Sequence, residues 1–368
     1  MERTLFLFST HYSKGEPNGR RDALSIYAGK SGLWALRDRF GYLNQFSPYR
    51  LYGPHEVFPE SSCTRKLRDI MDERAQDIIS LSKREEKPLY LFVSGGVDST
   101  AMTYALLKAA DGDYSNLHIV YTKYSEEEYP TLFAYLHSLP GLAMKKVPPL
   151  RGLDIAQEEA MREGYAVTGW CADQLFGSII NQELPGMYFL DWRRFIAAQD
   201  AIGQLEEAFK HYGLPIKTFG EFAWFMNFSC KYDYVKYTDV LLTGKITGRM
   251  IPFYDTPDFQ SWSVSNFDTL HSHSQDEEAF YKLPLKEYIF SHNGDRAYLA
   301  GKGKRGSWMR CDDSEGMEAR LVPVMAIAME SPTEVRMEST GLTRAERVDS
   351  RREDIALKRA LLRSYLKD

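Results

Sequence analysis

The sequence predicts an α/β protein with a parallel sheet at its centre. Strand-like runs alternate with helix-like runs along "LYLFV", "STAMTYALLKAA", "LHIVYT", "EEEYPTLFAYLHSL" and "YAVTG". Such alternation is typical of parallel strands joined by right-handed crossovers. The chain has 368 residues, of which 43% are hydrophobic, so it can form two or three domains with substantial cores.

The residues before this core predict a small β-rich piece and a connecting helix. Residues 1–60 are rich in Gly, Pro and Tyr, and short runs such as "ALSIYAG" and "SGLWALRD" lie between turn signals. Ser61 to Lys87 predict an amphipathic helix, because apolar residues recur there at helical spacing. These apolar residues are Leu67, Ile70, Met71, Ala75, Ile78 and Ile79.

The second half of the chain, from about Leu184, is mostly helical in pattern. We therefore divide the chain into residues 1–60 and a larger domain at residues 61–368. The tail from Thr343 to Asp368 predicts a docked helix with a solvated basic face, and a nucleic-acid contact by this face is the alternative. His271 and His273 lie in a polar stretch and are interpreted as solvated side chains, not as metal ligands.

The overall charge excludes some classes of partner. The net charge is -5 and the pI is near 6.0, so no global basic field attracts nucleic acid or an anionic membrane. No segment approaches the length of a membrane-spanning helix, and the four cysteines are few for a disulfide scaffold. We predict a soluble cytoplasmic protein with small-molecule partners and no membrane contact. The sequence carries no signal of an oligomeric state.

A glycine turn joins a strand to a helix within "LYLFVSGGVDSTAMTYALLKAA". Gly95 and Gly96 let the backbone approach a ligand closely, and the amides that begin the following helix favour anions. The turn is therefore a candidate phosphate cradle, although it lacks the lysine of a Walker sequence. Asp98 lies inside the turn, where a carboxylate that faces phosphates requires a hard cation such as Mg²⁺. The alternative is an ordinary strand-turn-helix junction.

Several stretches, in the expected order, resemble the synthetase domain of asparagine synthetases. "SGGVDST" is similar to the pyrophosphate loop (PP-loop) of N-type ATP pyrophosphatases, a superfamily that includes β-lactam synthetases and lasso-peptide cyclases. "VTGWCADQLFGS" resembles the family's second signature, "IPFYD" the segment that follows, and "KLPLKEYIF" and "AGKGKRGS" its lysine-bearing segments. The resemblance covers roughly residues 62–310. It implies a parallel-sheet, adenine nucleotide α-hydrolase-like core that uses ATP and Mg²⁺.

The resemblance assigns roles to particular residues. Asp98 and Asp173 match the catalytic magnesium ligands. Lys302, with Lys304 as its rival, matches the lysine that stabilises the transition state. Four loop residues match pyrophosphate-binding positions, and two residues at the end of the third predicted strand match positions that face the ribose and α-phosphate. These six residues are Ser94, Gly95, Gly96, Ser99, Thr168 and Gly169.

The chain also departs from the family pattern. Trp170 stands where the second signature carries a glutamate, and Gln174 and Gly248 replace two later glutamates. The groups that would handle the proton of an attacking amine are therefore missing. We assign Trp170 to the acceptor pocket, where an indole would exclude water and stack on a larger amine or on an aromatic or nucleobase-like acceptor. The alternative is a core aromatic side chain beside the nucleotide.

The N-terminal residues resemble part of a second domain of asparagine synthetases. Glu2 stands where those enzymes carry the nucleophilic cysteine of their glutaminase domain, whereas "GLWALRDRFGYLNQFSPY" is similar to a short segment of that domain. We therefore expect residues 1–60 to be a truncated glutaminase-like remnant without glutaminase activity.

The motifs together predict an ATP-dependent, AMP-forming ligase. It would adenylate a carboxyl or amide oxygen and transfer the activated group to a nitrogen nucleophile. Two alternatives stay open, namely a PP-loop enzyme that modifies nucleotides or nucleic acid, and a catalytically inactive ATP-binding module.

Overall fold

The computed structural model describes residues 4–8, 38–46, 55–149, 151–177, 188–196, 199–232, 248–275, 277–303, 325–331 and 334–338. Within these ranges the protein has an α/β architecture, as predicted, with a five-stranded, wholly parallel central sheet. The strands are β1 (Thr4–Phe8), β2 (Leu89–Phe92), β3 (Leu117–Tyr121), β4 (Ala143–Lys146), β5 (Tyr165–Thr168), β6 (Met250–Pro252), β7 (Met325–Ser331) and β8 (Glu334–Glu338).

The central sheet has the order β4-β3-β2-β5-β6. Leu89 of β2 pairs with Leu117 of β3 on one side and with Tyr165 of β5 on the other. The chain therefore runs from β2 outward through β3 and β4, and then returns to place β5 and β6 on the other side of β2. Such a reversal of strand order opens a crevice at the carboxyl ends of the strands, which is where parallel sheets bind ligands.

Helices cover both faces of the sheet, and this explains why its middle strands are continuous apolar runs. One face packs against the two longest helices of the core, and the other packs against the helix that precedes β5. The helices are α1 (Leu67–Glu85), α2 (Val97–Ala110), α3 (Lys123–Glu128), α4 (Pro130–Ser138), α5 (Arg151–Glu163), α6 (Ala172–Phe176), α7 (Gln199–His211), α8 (Phe219–Phe225), α9 (Pro257–Ser265), α10 (Phe267–His271), α11 (Leu283–Asn293) and α12 (Arg296–Gly301).

The amphipathic helix predicted between Ser61 and Lys87 is α1, and all six of its predicted apolar residues are buried. α1 packs along α2, which is buried on nearly its whole circumference. A π-helix at Met226–Lys231 continues α8. None of the described helices is long and apolar enough to cross a bilayer.

The structure differs from the sequence prediction at β4 and at the helix after β3. β4 is an edge strand whose Lys145 and Lys146 are exposed, so it lacks the apolar run by which β2, β3 and β5 were predicted. Thr168 therefore ends the fourth strand of the sheet along the chain and not the third. The single helix predicted over "EEEYPTLFAYLHSL" is two helices, α3 and α4, because Tyr129 takes φ -145° just before Pro130.

The described N-terminal residues contact later parts of the chain. β1 pairs antiparallel with β7, which in turn pairs with β8. The buried guanidinium of Arg39 lies 3.7 Å from the ring centroid of Tyr232 and donates to the carbonyl oxygen of Phe228 at 2.9 Å. "ALSIYAG", most of "SGLWALRD", Lys304 and the tail at residues 343–368 lie outside the described residues. The division of the chain at residue 60 stays a prediction.

Candidate functional site

The candidate site lies at the carboxyl ends of β2 and β5, the two strands at which the sheet order reverses. The residues after β2 form a tight turn into α2. The N–H of Ser94 donates to Oγ of Ser99 at 3.0 Å, and the N–H of Gly96 donates to Oγ of Ser94 at 3.2 Å. The two serine hydroxyl oxygens lie 2.9 Å apart. The two serines that the sequence predicts to bind pyrophosphate therefore also fix the shape of the turn.

Gly95 is required at its position in this turn. Its φ is +76°, and a Cβ there would lie 2.6 Å from the carbonyl oxygen of Ser125. The turn leads directly into the first turn of α2, whose leading N–H groups have no intrahelical acceptor. A helix beginning of this kind, with the positive end of its dipole, favours a phosphate group.

The residues after β5 press against this turn. A Cβ on Gly169 would lie 2.8 Å from the nitrogen of Ser99 and 3.0 Å from the carbonyl carbon of Asp98, so the two loops are in backbone contact. Thr168, just before Gly169, is completely buried, and within the described structure its hydroxyl has no hydrogen-bond partner. A buried polar atom without a partner is costly unless a ligand or water satisfies it. Thr168 and Gly169 therefore suit the nucleotide-facing role that the resemblance gives them.

Asp98 and Asp173 meet at one ammonium group. Nζ of Lys282 lies 2.6 and 2.5 Å from the two carboxylate oxygens of Asp98 and 2.6 Å from Oδ1 of Asp173. Lys282 is completely buried, whereas each carboxylate is about one quarter exposed. Burial would lower the pKa of Lys282, but the charges of Asp173 and Asp98 raise this pKa above its ordinary value. The lysine is therefore charged at neutral pH.

The two carboxylates fit a magnesium site that is completed by a ligand. Mg²⁺ prefers six oxygen ligands and is commonly held by one or two carboxylates together with substrate phosphates and water. The described residues contain no group of three His, Cys, Asp or Glu side chains that could hold a metal ion alone. Asp98 and Asp173 would therefore bind Mg²⁺ together with the oxygens of a phosphate chain.

Lys302 lies beside the turn but makes its own ion pair. Its ammonium contacts Oε1 of Glu128, and both side chains are almost completely buried. Oε1 of Glu128 lies 3.6 Å from the position that a Cβ on Gly96 would take. The structure thus brings the predicted catalytic lysine next to the candidate phosphate cradle, with a carboxylate as its counterion.

Trp170 follows Gly169 and is half-buried. Its side chain packs against the smaller core cluster, between the sheet and α5, which includes Phe92 and Ala166. Gly248, another departure from the family pattern, is exposed with φ +64°, and a Cβ there would meet no atom within 4 Å. Trp170 therefore packs in part against the core, and the rest of its side chain is exposed.

The prediction that His271 is solvated is wrong. His271 is buried, and its Nδ1 lies 2.6 Å from the hydroxyl oxygen of Tyr188. Burial lowers the pKa of His271 to about 3. His273 is exposed, as predicted, and stacks on Phe280 with 3.9 Å between the ring centroids. His271 is buried because it is the last residue of α10, and the last turn of this helix packs against the core.

Two residues of the site were not assigned from the sequence. Lys282 begins the segment "KLPLKEYIF", which the resemblance marks as lysine-bearing without giving this lysine a role. The position of Lys282 between apolar residues, immediately before a helix, is the signal that could have indicated its burial in the site. Glu128 is one of three successive glutamates in "SEEEYP", and nothing in that pattern distinguishes it.

Comparisons with known proteins add no identification. No protein-family model and no curated protein matches the chain. The function is therefore inferred from the residues of the site.

Proposed function

We propose that this protein is an ATP-dependent, AMP-forming ligase that joins a carboxyl or amide group to a nitrogen nucleophile. The observation that carries the proposal is the meeting of Asp98 and Asp173 at one ammonium group, beside the glycine turn after β2. Two carboxylates that converge next to a helix beginning suit a metal–triphosphate ligand. An ordinary strand-turn-helix junction has no need of this arrangement.

The chemistry would proceed in two balanced steps. First, a substrate oxygen attacks the α-phosphorus of ATP, the bond to the bridging oxygen breaks, and pyrophosphate leaves. An amine then attacks the adenylated carbon, the carbon–oxygen bond to AMP breaks, and the amine loses a proton to solvent. Mg²⁺, when bound, would neutralise charge on the phosphates.

The chain's own residues would contribute mainly position and charge. The turn from Ser94 to Ser99 would orient the departing pyrophosphate, and Thr168 would donate its hydroxyl to the nucleotide. Lys302 would stabilise the charge that develops at the α-phosphate, since an ammonium in a buried site interacts strongly with such charge. The buried Glu128 would keep that ammonium beside the turn.

The test is release of AMP and pyrophosphate from ATP and Mg²⁺ with a panel of carboxylic acids, amines, nucleotides and oligonucleotides. We expect Asp98→Asn to abolish this release, because it removes a charged ligand. Asn can still accept from Lys282, so the free energy of unfolding should fall by only about 1–3 kcal/mol. The exposed Asp69→Asn on α1 is the matched control and should keep full activity.

Three outcomes would count against the proposal. Unchanged pyrophosphate release by Asp98→Asn would show that this site does not take part in the reaction. AMP formed only with nucleotide or oligonucleotide substrates would favour the nucleic-acid-modifying alternative. Tight ATP binding without any AMP would favour an inactive binding module.

A further inference from the structure

The ammonium of Lys282 is fixed at the point where the two carboxylates converge. The side chain is completely buried, and the residue has φ +46°, a left-handed conformation that is unusual for lysine. Its backbone N–H donates to Oε1 of Gln275 at 2.9 Å, and α11 begins at the next residue. The backbone is thus held on both sides, and the ammonium stays beside Asp98 and Asp173.

This arrangement opposes the binding of a free divalent cation. A cation that used both carboxylates would have to lie close to the ammonium, and the two positive charges would repel each other because the completely buried ammonium cannot move into solvent. The described residues also offer no third His, Cys, Asp or Glu ligand there. A triphosphate changes both conditions, because it supplies oxygen ligands and several negative charges that offset Lys282.

From these observations we infer that Lys282 excludes free divalent cations from the Asp98–Asp173 pair, so that the metal enters only as its complex with a triphosphate. The inference rests on the proposed function for the identity of the triphosphate. It concerns the order and specificity of binding and not the chemical step. Lys282 is thus a specificity-determining residue of the site.

The experiment measures Mn²⁺ binding to the full chain by electron paramagnetic resonance, without nucleotide. Lys282→Met keeps the length of the side chain and removes its charge, so we expect it to bind Mn²⁺ at least about tenfold more tightly than the wild type. Lys286→Met is the matched control, because Lys286 is also completely buried but donates to the backbone carbonyl oxygens of Glu278 and Ala279. This variant should bind Mn²⁺ as the wild type does.

A double variant tests whether charge is the cause. Lys282→Met with Asp173→Asn removes one charge of each sign, so its affinity for Mn²⁺ should return to the wild-type level. Equal Mn²⁺ affinity in Lys282→Met and the wild type would overturn the inference.

A second measurement uses only the wild type and applies even if Lys282→Met does not fold. Mn²⁺ should bind at least about tenfold more tightly once the α,β-methylene analogue of ATP is present, because the phosphates add ligands and charge. Equal affinity with and without the analogue would contradict the inference. The nucleotide-free arm needs no turnover, so absence of AMP release would refute the proposed ligase and leave the role of Lys282 standing.

Discussion

Gly169 holds the loop after β5 against the turn after β2. Replacing it with alanine would place a Cβ 2.8 Å from the nitrogen of Ser99, and this backbone atom cannot move away without shifting the turn. We expect Gly169→Ala to weaken binding of the α,β-methylene analogue of ATP by at least about tenfold, which is the loss of roughly one charge-assisted hydrogen bond. Isothermal titration calorimetry measures this directly.

The control for this substitution is Gly203→Ala in α7. A Cβ there meets no atom within 4 Å, and alanine is the better helix former by about 0.8–1 kcal/mol. This variant should therefore bind the nucleotide normally and be slightly more stable. Normal nucleotide binding by Gly169→Ala would show that the contact between the loops does not shape the site.

The roles of Lys302 and Glu128 can be distinguished by two substitutions, each of which breaks the ion pair between them. Lys302→Met and Glu128→Gln should each lower the free energy of unfolding by about 3–5 kcal/mol, because each leaves a buried charge without this partner. Only Lys302→Met removes the cation that we propose to stabilise charge at the α-phosphate. We therefore expect its kcat for AMP formation to be about 10²- to 10³-fold below that of Glu128→Gln. Equal turnover in the two variants would limit the pair to a structural role.

Trp170 is expected to contribute to acceptor binding. Trp170→Ala should raise KM for the acceptor by the equivalent of about 1–3 kcal/mol and leave nucleotide affinity unchanged, because the proposed phosphate contacts come from residues 94–99. Trp170→Phe should restore most of the loss. Wild-type protein should form no asparagine from aspartate and ammonium. Asparagine formation, or a Trp170→Ala variant that loses only nucleotide affinity, would contradict this role.

At the scale of single residues, the sequence predicted the strand-turn-helix geometry of residues 94–99, which are close along the chain. The turn from Ser94 to Ser99 could be predicted because a strand, two glycines and a helix follow one another. Lys282 could not be placed in this way, because it lies 184 residues from Asp98 and the contact depends on how α11 packs. Glu128 could not be placed in the site from local sequence either, because its position depends on where α3 ends.

At the scale of elements, α10 is coupled to pH through His271. The pKa of His271 is about 3 in the folded protein, against an ordinary value of 6.5. The unfolded chain therefore binds the extra proton first, and folding stability falls as the pH decreases from 6.5 towards 3. At pH 5 this loss is about 2 kcal/mol relative to pH 7. Urea unfolding of the wild type and of His271→Asn at several pH values measures it.

The expected result is a steeper acid loss in the wild type than in His271→Asn, because asparagine does not titrate. The exposed His273→Asn should leave the wild-type pH dependence unchanged. Parallel stability curves for the wild type and His271→Asn would show that His271 accepts a proton without unfolding.

The elements that the sequence missed share a physical cause. β4 is half-exposed at the edge of the sheet, so its hydrophobic pattern is weak although its backbone pairs fully with β3. The break between α3 and α4 follows from Pro130, yet the apolar residues continue across it at helical spacing. Hydrophobic pattern therefore predicted β2, β3, β5 and α1, and failed where backbone geometry or edge position decided the structure.

At the scale of the whole molecule, nucleotide binding should stabilise the fold. At a ligand concentration about 100 times Kd, linkage adds about 2.7 kcal/mol to the free energy of unfolding. For a chain of this size that corresponds to a rise in Tm of about 2–5 °C. Differential scanning fluorimetry with Mg²⁺ and the α,β-methylene analogue of ATP tests this, with Asp98→Asn as the variant expected to lose the shift. An unchanged Tm at saturating analogue would contradict nucleotide binding.

The long separations within the site have a consequence for how the protein folds. The contacts of Lys282 with Asp98 and Asp173 span 184 and 109 residues, and the pair of Lys302 with Glu128 spans 174. Contacts of such high sequence separation carry a large loop-closure entropy and form slowly. During refolding, β2, α2 and β3 can associate locally before α11 and α12 dock. The complete site therefore forms only after α11 and α12 dock, and we expect recovery of the proposed nucleotide affinity to report the final stage of folding.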